Sequence, residues 1–220
     1  MSWFTESFSY SIGKKIIMAL TGLFLVIFLI THLSGNLLLL AGDDGQAFNA
    51  YADFMQDNPF IQVMRFVLVF GFLFHIIDGF VLAYKNRQAR PTGYAKNDPS
   101  KNSTWYSRNM AVTGSIIFIF LILHLRSFLV EYQIIGYDEG TLYDLVKVTF
   151  ENVFYSVFYV FAMILLGFHL VHGFKSAFQT LGMNHIKYNG FIHGLGVFLA
   201  IALSAGFAII PLYFYIGQFL

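Results

Sequence analysis

The sequence predicts an all-α integral membrane protein with five transmembrane helices. Hydrophobic residues make up 57% of the 220 and charged residues only 11%, against about 25% charged in a soluble domain. The mean hydropathy is +0.66, more apolar surface than one soluble core could bury. The apolar residues also gather into five stretches, each long enough for the about 20 residues that a spanning helix needs. The chain reads as one domain over residues 1–220.

The first stretch, 16–40, follows Lys14 and Lys15. It is too long for the core of a secretory leader and has no clear cleavage site, so it is expected to be mature structure. The second, 61–84, runs into Lys85, Arg87 and Arg90, and the loop after it adds Lys96, Lys101 and Arg108 against Asp98 alone. The third is 107–130, the fourth 153–178 and the fifth 189–216, with Lys175 and Lys187 flanking the turn between the last two. The alternate loops are acidic: Asp43, Asp44, Asp53 and Asp57 in one, and Glu131, Asp138, Glu139, Asp144 and Glu151 in the other. Lys and Arg collect on the cytoplasmic side. The expected orientation is therefore N-terminus inside and C-terminus outside, in the cell inner (cytoplasmic) membrane.

The chain repeats itself. Met18-Ala19-Leu20-Thr21-Gly22 and Phe28-Leu29-Ile30-Thr31-His32-Leu33 match Met110-Ala111-Val112-Thr113-Gly114 and Phe120-Leu121-Ile122-Leu123-His124-Leu125 at an offset of 92. Phe74-His75, Gly79-Phe80 and Ala83 match Phe168-His169, Gly173-Phe174 and Ala177 at an offset of 94. Spans one–two and three–four thus read as two copies of one helical hairpin, with a fifth span added. Parallel repeats imply a pseudo-two-fold axis along the membrane normal.

Four histidines take equivalent places in that repeat: His32 with His124, and His75 with His169. Counted from the flanking basic residues, the first pair falls in the outer half of the membrane and the second in the inner half. Ionisable groups inside a bilayer are costly and mark function. Two imidazoles facing each other at one depth suit the iron of a haem. A lone membrane histidine is ordinarily a helix–helix hydrogen-bond partner, but two symmetric pairs ask for more than that. Gly71, Gly79 and Gly173 beside the inner pair, and Gly22 and Gly114 ten residues before the outer pair, would leave space for a flat ring. The chain has no cysteine, which excludes thiolate-ligated haem and Cys-ligated clusters. His172, one turn from His169, aligns with Asp78 rather than His75, so the two are expected to form a polar pair near the inner site. His185 and His193 are expected at the interface.

The expected fold is accordingly a four-helix bundle around two haems plus one flanking helix. Five spans with one such histidine on each of the first four resemble the dihaem cytochrome b subunit of succinate dehydrogenases and fumarate reductases. The resemblance covers nearly the whole chain. Its specific elements are Gly13-Lys14-Lys15, Thr21-Gly22, His32-Leu33-Ser34-Gly35-Asn36-Leu37, Phe48-Asn49-Ala50-Tyr51, Ser107-Arg108-Asn109-Met110, and His169 with Gly173 and Gly182.

The resemblance implies that His75 and His169 ligate an inner haem b, and His32 and His124 an outer one. It implies a flavoprotein subunit with FAD and an iron–sulfur subunit docked on the cytoplasmic face, with electrons passing between them and quinone, often menaquinone, in this family. This chain would then be the electron-transfer subunit of the enzyme and would not itself oxidise succinate. By depth and charge, Ser11, Arg108 and Lys175 are candidates for inner propionates, and Asn36 or Arg126 for outer ones. Asp53 and Asp57 outside, or Asp78 and His172 inside, are candidate proton donors to quinone. Some relatives carry an acidic residue two positions before the span-four ligand. Gly167 stands there in this chain, which argues against that proton route.

Two rivals make different forecasts. A cytochrome b of a formate dehydrogenase or hydrogenase would usually serve a partner outside, whereas the large basic loop is expected inside. A haem-free proton-coupled transporter would need helices broken near the midplane. Of the four prolines, only Pro211 falls within a span.

Overall fold

In the computed structural model, which describes residues 11–89 and 103–220, every regular element is helical. A segment crossing lipid has to satisfy its backbone polar groups internally, and a helix does so within one segment. α1 is Ser11–Asn36, tightening to a 3-10 turn over Leu37–Leu40; α2 is Gln46–Asp57; α3 is Pro59–Gln88; α4 is the single turn Trp105–Arg108. α5 is Met110–His124, continued as a wider π-helix over Leu125–Gly136. α6 is Leu142–Glu151, α7 Val153–Thr180 and α8 Ile186–Gly217. Five are long and apolar enough to cross a membrane: α1, α3, α5 with its continuation, α7 and α8. The chain is an all-α, multi-pass membrane protein.

Two features differ from the expected spans. The third begins at Met110, because Asn109 separates it from the α4 turn, and it runs on to Gly136. The amphipathic helices α2 and α6, at the end of the bundle remote from residue 11, were not expected at all.

These helices belong to the repeat. The 94-residue offset relates Asp57-Asn58 to Glu151-Asn152, and both asparagines cap the span that follows. Asn58 Oδ1 accepts from the Phe60 and Ile61 amides at 3.0 and 3.3 Å; Asn152 Oδ1 accepts from Phe154 and Tyr155 at 2.9 and 3.4 Å. The repeating unit is therefore span, amphipathic helix, asparagine cap, span. Repeat mates also meet where α2 touches α6: the Tyr143 amide donates to Asn49 Oδ1 at 3.1 Å. Between His124 and Tyr143 the offset grows from 92 to 94. The two extra residues fall where the helix widens to π geometry, which takes up more chain per turn. The ion pair of Arg126 with Glu131, five residues on, suits that wider turn.

α7 is central. Its Ala162, Met163, Leu166, Leu170 and Phe174 bury against Val26 and Leu33 of α1 and Ala200 and Leu203 of α8. α1, α3, α5 and α7 form a ring, and α8 lies outside it against α7 and α1. Close approach of α8 depends on two glycines: a Cβ on Gly196 would lie 2.8 Å from the Phe174 ring, and one on Gly206 2.6 Å from Leu33 Cδ2. Pro211 is inside α8 without ending it.

At the far end, Leu39, Phe48, Val146, Phe150, Tyr159, Ile210 and Phe214 form a second apolar cluster. It seats α2 and α6 as a cap over the bundle. Gly45 starts α2 at φ +81° with the Tyr143 ring against it. Gly45→Ala should cost about 1–3 kcal/mol, combining left-handed strain with a steric clash. Thermal unfolding in detergent checks this against Gly42→Ala, where φ is +74° but the space is open.

α6 starts in a capping box. The Asp144 carboxylate accepts from Thr141 Oγ1 at 2.7 Å and from the Thr141 amide at 2.8 Å. Those two bonds hold the Asp144 carboxyl below the usual range. A depressed carboxyl stabilises the fold above its unfolded pKa, and the contribution is lost as pH falls through the folded value. Asp144→Asn should therefore lower the melting temperature at neutral pH, and the difference from the parent chain should vanish in acid.

Candidate functional site

α1 and α5 carry His32 and His124; α3 and α7 carry His75 and His169. The repeat mates meet. The His32 and His124 ring centres are 5.9 Å apart, and those of His75 and His169 6.2 Å apart. A metal–imidazole bond of about 2.0–2.1 Å, plus about 1.1 Å from nitrogen to ring centre, puts two rings about 6.3 Å apart across one metal ion. The helices already hold both pairs at that spacing. The rings are turned by 85° and 68°, so neither pair is a stacked contact.

The glycines set the depth of the pairs. A Cβ on Gly22 would lie 3.3 Å from His75 Cε1, and one on its mate Gly114 3.5 Å from His169 Cε1. Each glycine precedes the other pair's histidine by ten residues, so the two pairs are about 15 Å apart along the helices. Gly79 and Gly173 face the methyl groups of Met18 and Met110, both 3.6 Å from a built Cβ, and Gly71 faces Phe24. These three receive side chains, not the open space expected of them.

Hydrogen bonds say which ring nitrogen is free. Thr21 Oγ1 donates its one proton to the Ile17 carbonyl at 2.8 Å and lies 3.4 Å from His75 Nδ1. The threonine oxygen can only accept there, so Nδ1 carries the hydrogen and the Nε2 lone pair is left for a metal. The mate Thr113 likewise donates to the Asn109 and Met110 carbonyls. His169 Nδ1 is buried with no partner among the described residues. At the other pair, Tyr159 Oη lies 3.4 Å from His124 Nδ1, and Asn36 Nδ2, a donor, lies 3.3 Å from His32 Nδ1; that contact leaves the His32 hydrogen on Nε2, so the Asn36 amide has to turn before His32 Nε2 can bind a metal. A donor set of two neutral imidazoles per pair suits low-spin haem iron.

The remaining candidates are less tightly drawn in. Asp78 is buried and His172 half-buried, but they form no hydrogen bond with each other. The expected hydrogen-bonded pair is not formed; each instead has a titratable residue one turn away on its own helix, His75 for Asp78 and Lys175 for His172. Asn36 spends its amide on the His32 carbonyl at 2.7 Å, and Arg126 is paired with Glu131. Lys175 is exposed; Arg108 is exposed and donates to the Ser103 carbonyl at 2.5 Å. Asp53 and Asp57 are exposed on α2. The side chain of Ser11, and Arg90, Lys96, Asp98 and Lys101 of the basic loop, lie outside the described residues.

Sequence reasoning missed two polar residues of the bundle: Tyr159, and Arg65, which donates to Gln133 Oε1 at 3.1 Å. Both are visible as polar interruptions of apolar runs, and the 94-residue offset relates them. The chain matches no protein-family model, no curated protein and no solved structure.

Proposed function

We propose that this chain is a dihaem cytochrome b that anchors a succinate dehydrogenase or fumarate reductase to the membrane and passes electrons between it and quinone, menaquinone by the family resemblance. The observation that carries the reading is the meeting of two pairs of repeat-mate histidines, each at the spacing one iron requires. His75 and His169 would hold the haem nearer the basic end, and His32 and His124 the other. Haem, when bound, supplies reversible one-electron transfer; the protein supplies place and tuning. The four imidazoles fix the height and tilt of each ring system. Thr21 holds the His75 tautomer that leaves Nε2 available. The surrounding apolar helices exclude water, which would otherwise add to the reorganisation accompanying each electron step.

The flavoprotein and iron–sulfur partners would dock at the basic end, on the cytoplasmic side, and the capped end would face outward. The chain has no cysteine, so single cysteines are clean reporters of this orientation. A cysteine placed at Asp53 should react with an impermeant maleimide on intact cells, and one placed at Lys187 only after lysis. The opposite pattern would reverse the orientation.

The identity test is a dithionite-reduced minus oxidised visible spectrum of the purified chain, with haem quantified as its pyridine complex. Two low-spin b-type haems per chain are the expected result. A well-folded chain with no haem would overturn the reading. Co-purification with a flavin-containing, succinate-oxidising partner tests the assignment to this enzyme rather than to a formate dehydrogenase or hydrogenase.

A further inference from the structure

The two hairpins place different groups against the Nδ1 atoms of their far-end histidines. His32 Nδ1 has Asn36, one turn along the same helix, at 3.3 Å. Phe128 stands four residues past His124, as Asn36 does past His32; its ring lies edge-on to His124 at 5.4 Å and offers no hydrogen bond. His124 Nδ1 instead lies 3.4 Å from Tyr159 Oη, which reaches it from α7. The repeat mate of Tyr159 is Arg65, which turns to Gln133 and not to a histidine. One position has lost a polar partner, and another has supplied one from the neighbouring helix.

Tyr159 is built in firmly. It is 5% exposed, with the rings of Phe120 and Phe150 each 4.9 Å from its own and those of Phe128 and Phe158 at 6.3 and 6.2 Å. A buried phenol among aromatic rings needs a partner for its hydroxyl. Ser127 lies within reach of the phenol oxygen; a phenol oxygen has two lone pairs, so a bond from Ser127 leaves one to accept His124 Nδ1–H.

We propose that Tyr159 is a positioning residue for His124: its hydroxyl oxygen accepts the Nδ1 hydrogen, holds Nε2 toward the iron and makes the imidazole a stronger electron donor. The proposal rests on the dihaem reading. A stronger donor favours ferric over ferrous iron, so Tyr159 lowers the potential of the haem between His32 and His124 and leaves the other unaffected.

The test is a redox titration of the full-length purified chain, read by visible spectra and low-temperature EPR. Tyr159→Phe keeps the ring and removes one oxygen. The expected result is two haems per chain, an upward shift in the potential of the His32–His124 haem, altered g-values for that haem alone, and no change at the other. Unshifted potentials and g-values would overturn the proposal. If Tyr159→Phe does not load that haem, the double variant Tyr159→Phe/Phe128→Asn decides, because an asparagine one turn past His124 can turn its Oδ1 to the ring and accept the Nδ1 hydrogen in place of the phenol. Restored haem supports the role, and haem still missing overturns it. A parent chain without any haem would instead sink the dihaem reading, so the two failures are distinguishable.

Discussion

His169→Ala is expected to halve the haem content, from two per chain to one, while His172→Ala keeps both. The two histidines lie three residues apart on α7, and composition alone cannot rank them. The repeat and the geometry agree on the choice: His169 is the mate of His75 and meets it at 6.2 Å, whereas His172 is the mate of Asp78 and meets no histidine ring. On the dihaem proposal, losing one axial imidazole removes half the protein's hold on that iron. His124→Ala should remove the other haem in the same way and spare the first. Pyridine-complex quantification with a reduced-minus-oxidised spectrum checks all three variants. A His172→Ala chain with one haem, beside a His169→Ala chain with two, would reassign the ligand on α7.

That choice was legible in the sequence because it depends on register. His, Gly and Thr-Gly recur at fixed offsets, and a repeat axis converts equal offsets into spatial meeting. The outer ends of the hairpins were less legible. α2 and α6 are short and half polar, so they vanish in a search for long apolar runs, although Asp57-Asn58 and Glu151-Asn152 repeat the same acid–asparagine step. The π-helical stretch after His124 was hidden too. It is signalled only by the offset growing by two residues, and periodicity arguments assume 3.6 residues per turn. Side-chain pairing was least legible. Asp78 and His172 occupy matched positions, yet they form no hydrogen bond with each other, because equal offsets fix register and not side-chain direction.

Gly114→Leu should expel the haem held by His75 and His169, whereas Gly114→Ala should keep it. The built Cβ on Gly114 lies 3.5 Å from His169 Cε1 and 3.8 Å from His169 Nδ1, ordinary contact distances, so a single methyl fits. A leucine carries three further carbons, and those on the ring side have nowhere to go unless His169 rotates or α5 and α7 separate. Overpacking of this kind costs about 1–3 kcal/mol. On the dihaem proposal the side chain that must yield is an axial ligand, so the loss should fall on haem affinity before it falls on the fold. The same series at Gly22 should be steeper, because its built Cβ is already 3.3 Å from His75 Cε1. Gly22→Ala is expected to weaken haem retention measurably where Gly114→Ala does not. Both series leave His32 and His124 untouched, about 15 Å away along the helices. The surviving haem is therefore an internal control: a variant that loses both has lost the bundle, and a variant that loses one has lost a ligand's position.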